Sequence, residues 1–181
     1  DRTEQAIDLF DKELFHGATF NDLQQKDGPL IIINASDLAY GVRFSFLQDY
    51  FNLICSDLST FPVARAVVAS AAVPVVFPPV VLRNYDTCDK QPPGWLLSIS
   101  QDAHQDSETR QLVKGIRNYI DNTDRNYVHL VDGGITDNLG LRSLIDVILI
   151  EGGIRQALEK IDRRPPKTFI IISVDASTER A

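Results

Sequence analysis

The spacing of apolar residues divides the chain into elements before any other property is needed. Over Asp1 to Phe15, Ile7, Phe10 and Leu14, with Leu9 beside them, make a helical stripe and predict a surface helix. Gly28-Pro29 then opens Leu30-Ile31-Ile32-Ile33, a short unbroken apolar run of the kind buried in a parallel sheet, which predicts a first strand. Asn34 to Asp37 is expected to turn the chain, and Val42-Arg43-Phe44-Ser45-Phe46 alternates as a half-exposed strand does. Ser59 and Thr60 offer caps and Pro62 suits a first helical turn. Val63, Ala66, Val67, Ser70 and Ala71 share one face of a predicted helix that Pro74 ends. Arg83 to Asn126 is the most polar region and reads as loop or insertion around one short helix near Leu112 to Ile120. Val128 to Val131 is a further strand, and beyond it Leu141, Leu144, Ile145, Ile148 and Leu149 repeat at helical spacing until Gly152-Gly153. A shorter helix through Ile154, Ala157, Leu158 and Ile161 and a buried strand over Thr168 to Val174 complete the pattern. Strands alternating with helices predict an α/β layered architecture.

Composition narrows the class. The chain has 181 residues, the size of one domain, and its 44% hydrophobic and 24% charged residues belong to a globular chain and not a disordered one. A net charge of −7 argues against a nucleic-acid partner. The longest mostly apolar run, Ala66 to Leu82, contains Ser70 and Pro74, Pro78 and Pro79 and falls short of the ~20 residues of a spanning helix. Asp1-Arg2-Thr3-Glu4-Gln5 lacks the basic start and apolar centre of a signal peptide, and no Met is present, so the chain is expected to begin inside a longer protein. Cys55 and Cys88 exclude CxxC spacing. They are either two buried thiols or, in an exported protein, a bridge contributing about 3–4 kcal/mol in the chain-entropy model. The compartment stays open, with membrane association or bacterial export both compatible.

The sharpest local feature is Val131-Asp132-Gly133-Gly134, an acid at the end of a predicted strand followed by two glycines. Such strand ends are where ligands gather in α/β sheets. The glycines let a substrate or partner backbone approach the carboxylate and permit a left-handed φ; an ordinary surface turn is the plainer alternative. His129 is expected on the opposite side of its strand from Asp132, and His16 and His104 sit in polar contexts. No HExxH or clustered His/Cys spacing supports a metal, and no GxxxxGK[ST] or GxGxxG supports a nucleotide cofactor. Asp137 and Asn138 are expected to cap the Leu141 helix, or else to hold the Asp132 loop. A nucleophile elbow needs small residues two positions either side of its serine, and no serine here has a glycine at either place. Ser70, between Val68 and Ala72, comes nearest but lies within the predicted helix.

Two stretches together carry a resemblance. Ala69-Ser70-Ala71-Ala72-Val73-Pro74-Val75-Val76-Phe77-Pro78-Pro79, followed downstream by Val131-Asp132-Gly133-Gly134-Ile135-Thr136-Asp137-Asn138, resembles the patatin-like phospholipase family. Leu14 to Phe20 and Ile33 to Leu38 are similar to its bacterial members in particular. The resemblance implies a three-layer α/β fold with a largely parallel central sheet, and a lipid acyl hydrolase using a Ser–Asp dyad without histidine, metal or organic cofactor. It places Asp132 as the dyad acid, with Gly133, Gly134, Asn138, Pro74 and Phe77 supporting the site or its substrate. It further implies that residues 1–181 are the C-terminal part of one patatin-like domain, with 83–126 as a polar insertion. The GxSxG serine and the Gly-rich oxyanion loop would then lie upstream, in a missing N-terminal part. The implied partners are a lipid or acyl-ester substrate, a transient membrane surface and that N-terminal part. Trp95, beside Pro92-Pro93-Gly94, is expected in a lid or interface-facing edge. A catalytically silent interaction domain, keeping the fold without a nucleophile, is the alternative.

Overall fold

The computed structural model describes residues 1–23, 29–92, 94, 96–97, 107–120 and 125–142, with single positions at 155, 159, 168, 170 and 172. The N-terminal helix α1 (Arg2–Phe10) starts where Asp1 accepts the Glu4 amide at 2.9 Å, and runs into a π-helical turn, Asp11–Phe15. Its inward face is Thr3, Ile7 and the half-buried Phe10 and Phe15, while Leu9 and Leu14 point to solvent. After α2 (Phe20–Leu23) come β1 (Asn34–Asp37) and β2 (Val42–Ser45), then α3 (Gln48–Leu53) and α4 (Val63–Ser70). Strand β3 (Val80–Arg83), α5 (Ser107–Ile120), β4 (Tyr127–Val131) and the short α6 (Gly134–Asp137) follow. Neither Ser59 nor Thr60 caps α4; both turn back to Asp57, and the Val63 amide donates to the Ala18 carbonyl at 2.9 Å.

The sheet order is β2-β1-β4-β3, and every neighbouring pair is antiparallel. This overturns the expected largely parallel sheet of a three-layer α/β fold. Parallel neighbours need a crossover of a dozen or more residues. Here β1 and β2 are joined by the four-residue turn 38–41, tightened by the Gly41 amide on the Asp37 carbonyl (2.9 Å) and by Gly41 at φ +60°. The apolar run expected as the first strand lies outside the sheet, with Leu30 58% and Ile31 44% exposed. The strand is instead the more polar Asn34–Asp37, where a turn was expected.

All four β2 residues are buried because both faces of the β1–β2 hairpin are covered. On one face Ala35, Asp37, Val42 and Phe44 meet α5. Gly115 makes that approach possible, since a Cβ there would sit 2.6 Å from Val42 Cγ2. Phe44 is the hub of this core, edge-on to Phe46, Tyr50 and Tyr119 at centroid separations of 5.4–5.9 Å. The other face carries Asn34, Ser36, Arg43 and Ser45, and it lies under the segment that follows β4.

The predicted helix over Leu141 to Leu149 lies outside the described residues beyond Arg142, as do Trp95, His104 and most of the segment read as a helix over Ile154 to Ile161. Arg155 and Glu159 of that segment are helical. In the region expected as a buried strand, Ile170 and Ile172 are exposed and belong to no strand. Cys55 and Cys88 form a disulfide, with an S–S distance of 2.09 Å.

Candidate functional site

Asp132 is the first residue past β4, and backbone bonds fix it from two sides. Its amide donates to the Ala72 carbonyl and the Gly133 amide donates to the Ser70 carbonyl, both at 3.0 Å. The carbonyls at a helix C-terminus lack partners within the helix, so the end of α4 is a ready acceptor for this turn. The chain then winds into α6, with the Ile135 amide on the Asp132 carbonyl (3.3 Å) and the Asp137 amide on that of Gly133 (2.9 Å). The carboxylate is half-buried. One of its oxygens, Oδ1, accepts the Gly134 amide at 2.7 Å, and among the described residues no cation reaches either oxygen.

The two glycines are needed for space. Gly133 has φ −63° and ψ −26°, ordinary right-handed values, and Gly134 is not left-handed either, so the expected positive φ is absent. A Cβ on Gly133 would lie 2.5 Å from the Asn34 carbonyl oxygen. One on Gly134 would lie 3.0 Å from Asp132 Oδ1 and 2.8 Å from Asn138 Oδ1. Gly133 therefore lets the turn rest on the β1 backbone, and Gly134 leaves room beside the acid.

Beneath the turn runs a buried polar seam that sequence reasoning missed. Ser36 and Thr136 share a hydroxyl–hydroxyl bond of 2.8 Å, and the Ser45 hydroxyl donates to Asn34 Oδ1 at 2.8 Å. Arg43 donates through Nε to Ser45 Oγ at 3.3 Å and forms an ion pair with Asp137, Nη1 to Oδ2 at 3.9 Å. Asp137 also accepts the Arg142 amide at 3.3 Å; the helix it was expected to cap lies outside the described residues beyond Arg142. The signal was present: Asn34, Ser36, Arg43 and Ser45 all fall on one face of the hairpin once the register is known. Without the register, their polarity read as a turn and a solvated strand face.

The remaining expected residues lie near the acid in chain or in space. Pro74 and Phe77 are half-buried in the loop that leaves Ala72, and Asn138 is exposed with its side-chain oxygen over Gly134. His129 is exposed opposite Val81 and makes no hydrogen bond to Asp132. No group of three metal-ligating side chains exists among the described residues. Ser70 brings its hydroxyl near Gly133, but it ends α4, where the negative pole of the helix disfavours an alkoxide. No family model, curated protein or solved structure matches the chain.

Proposed function

We propose that the protein is a lipid acyl hydrolase of the phospholipase A or esterase type, with Asp132 as the base of a Ser–Asp dyad and the serine supplied from outside these 181 residues. One observation carries this reading. The two stretches behind the resemblance to patatin-like phospholipases are hydrogen-bonded to each other at the acid itself, through Ala72 to Asp132 and Ser70 to Gly133. A carboxylate that is held in place, partly desolvated and free of cations among the described residues has the properties of a positioned base. At Gly134 the approach to the carboxylate is bounded by the movable end of the Asn138 side chain and not by a Cβ.

In the proposed reaction the serine proton passes to Asp132 while the serine oxygen bonds to the ester carbonyl carbon. Collapse of the tetrahedral intermediate expels the alcohol, which takes the proton from Asp132 and leaves an acyl-enzyme. Water then attacks, again giving a proton to Asp132, and release of the fatty acid restores the serine hydroxyl with that proton. Backbone donors from the complementary segment would hold the oxyanion.

The silent-domain reading is favoured by the lack of any serine in elbow context and by the position of Ser70. Turnover of a p-nitrophenyl ester and fluorophosphonate labelling of the full-length protein separate the two. Asp132→Asn is expected to lower turnover by roughly 10²–10⁴-fold, the usual contribution of a positioned base. Equal turnover in the variant removes Asp132 from the chemistry, and absence of turnover and label in the wild type establishes the silent domain.

A further inference from the structure

The geometry points to the segment Val73–Phe77 as the place where the protein rests on an uncharged lipid surface. Val75 is as exposed as in an isolated peptide, at 104%, and the side chains of Val73 and Val76 are exposed on either side of it. Its φ is +76°, a conformation in which a β-branched residue is a true outlier and in which glycine would be at ease. A turn that only had to reverse the chain would not keep a valine there. Strain held at an exposed apolar tip indicates use of the side chain.

The tip is also rigid. Val76 and Phe77 donate their amides to the Val73 carbonyl (3.2 and 3.0 Å), Ala72 is tied to Asp132, and the Thr3 hydroxyl donates to the Pro78 carbonyl at 2.6 Å. Pro74, Pro78 and Pro79 stiffen it further. The result is a solvent-exposed apolar tip already held in place, which suits insertion among lipids. No charged residue occurs between Arg65 and Arg83, and the chain carries −7 overall, so an anionic surface is repelled and a zwitterionic one is not. Ile135 and Leu139, exposed just beyond Asp132, extend the apolar character around the acid. The inference rests on the hydrolase reading for its purpose, since it sets the acid beside the surface that holds the substrate.

The test is flotation of the full-length protein with phosphatidylcholine vesicles and with vesicles containing phosphatidylglycerol. Binding to the former is expected to exceed binding to the latter, and Val75→Asp to weaken it by about tenfold or more. Val75→Gly relieves the backbone strain, so it should melt no lower than the wild type while binding vesicles several-fold less well. A purely structural valine would give a lower melting temperature and unchanged binding. Unchanged binding in Val75→Asp, preference for anionic vesicles, or self-association abolished by Val75→Asp each overturns the inference, the last by assigning the tip to a second copy. Asp132→Asn should leave flotation untouched. Wild-type protein that turns over the ester but does not float with phosphatidylcholine vesicles therefore sinks the lipid contact alone, and wild-type protein that floats without turning over the ester sinks the dyad alone.

Discussion

Asp37 ends β1 and Asp132 follows β4, neighbouring antiparallel strands, yet the two acids have opposite surroundings. Asp37 is fully buried on the core face, ion-paired with Arg125 and accepting the Tyr119 hydroxyl at 2.7 Å and the Ala39 amide at 3.0 Å. The Arg125 guanidinium lies between the rings of Tyr40 and Tyr119, 4.6 and 4.8 Å from their centroids. Among the described residues its buried Nε and Nη1 have no hydrogen-bond partner, and the guanidinium is held against the two aromatic faces. Asp132 has no cation partner and one carboxylate oxygen without a hydrogen bond among the described residues. A carboxylate surrounded by its own partners can only stabilise the fold. One that accepts a single backbone amide, with its second oxygen open among the described residues, is left for another group to engage.

The largest effect is expected from breaking the sealed acid. Asp37→Ala leaves the Arg125 charge buried and unpaired, and loss of one partner of such a pair costs about 3–5 kcal/mol, measurable by urea unfolding. The same cluster gives the protein an alkaline limit. Burial, the Asp37 charge and the hydrogen bond to it push the Tyr119 hydroxyl well above its ordinary pKa. The unfolded tyrosine ionises near pH 10 while the folded one does not. The Tyr119 contribution is therefore fully present below that pH and lost as pH rises through and above it. Stability that stayed flat across this range would show that Tyr119 is not held as the structure shows it.

Next comes the disulfide, which serves the sealed side. Cys88 lies between Asn84, whose side-chain amide donates to the Tyr119 and Arg125 carbonyls (3.2 and 3.0 Å), and Lys90, which donates to Asn84 Oδ1 (2.6 Å) and to the Tyr119 carbonyl (3.0 Å). Closing Cys55 to Cys88 confines the segment that holds Tyr119 and Arg125 in place. Cys55→Ser with Cys88→Ser is expected to cost about 3–4 kcal/mol, by loop-closure entropy. If the comparison is right, amide hydrogen exchange should quicken around Arg125 and stay unchanged around Asp132.

The open acid was legible in the sequence and the sealed one was not. Asp132 announces itself because its neighbours are glycines and a strand pattern ends at Val131. The helix ending before Pro74 and the strand through Val131 were equally plain, since each keeps one period over its length. Asp37 looked like part of a turn because three of the four β1 residues are polar, and nothing local says that Arg125, far along the chain, neutralises it. The parallel arrangement failed for a related reason. Alternation of strand and helix patterns does not encode which strands pair, and an unbroken apolar run such as Leu30 to Ile33 can lie beside a sheet as well as in it. Strand β3 went unnoticed because Val80-Val81-Leu82 closes the apolar run that begins at Ala66, and its alternation of buried and exposed positions leaves no trace when all three residues are apolar.

A smaller loss of stability is expected at the joint between the two regions. The Gly133→Ala methyl would meet the Asn34 carbonyl oxygen at 2.5 Å, and a backbone atom cannot move aside as a side chain can. Overpacking of this kind costs about 1–3 kcal/mol and should shift Asp132 with the turn. Gly134→Ala meets the movable ends of Asn138 and Asp132, so it should spare stability and lower turnover. Equal melting temperatures for the two variants would show that the turn does not rest on β1.

Asp132→Asn should change stability least of all, within about 0.5 kcal/mol, although it is expected to be the most damaging to turnover. The amide side chain keeps an oxygen for the Gly134 N–H, and the bonds from the Asp132 and Gly133 amides to α4 are backbone bonds that no side-chain change removes. No ion pair is lost, because none exists among the described residues. What disappears is the ability of Oδ2 to accept a proton. A structural acid behaves in the opposite way, as Asp37 is expected to, with stability falling before any activity can be judged. If Asp132→Asn melts several degrees below the wild type, the acid at the end of β4 belongs with Asp37, and the contrast between an open and a sealed carboxylate fails at its more consequential end.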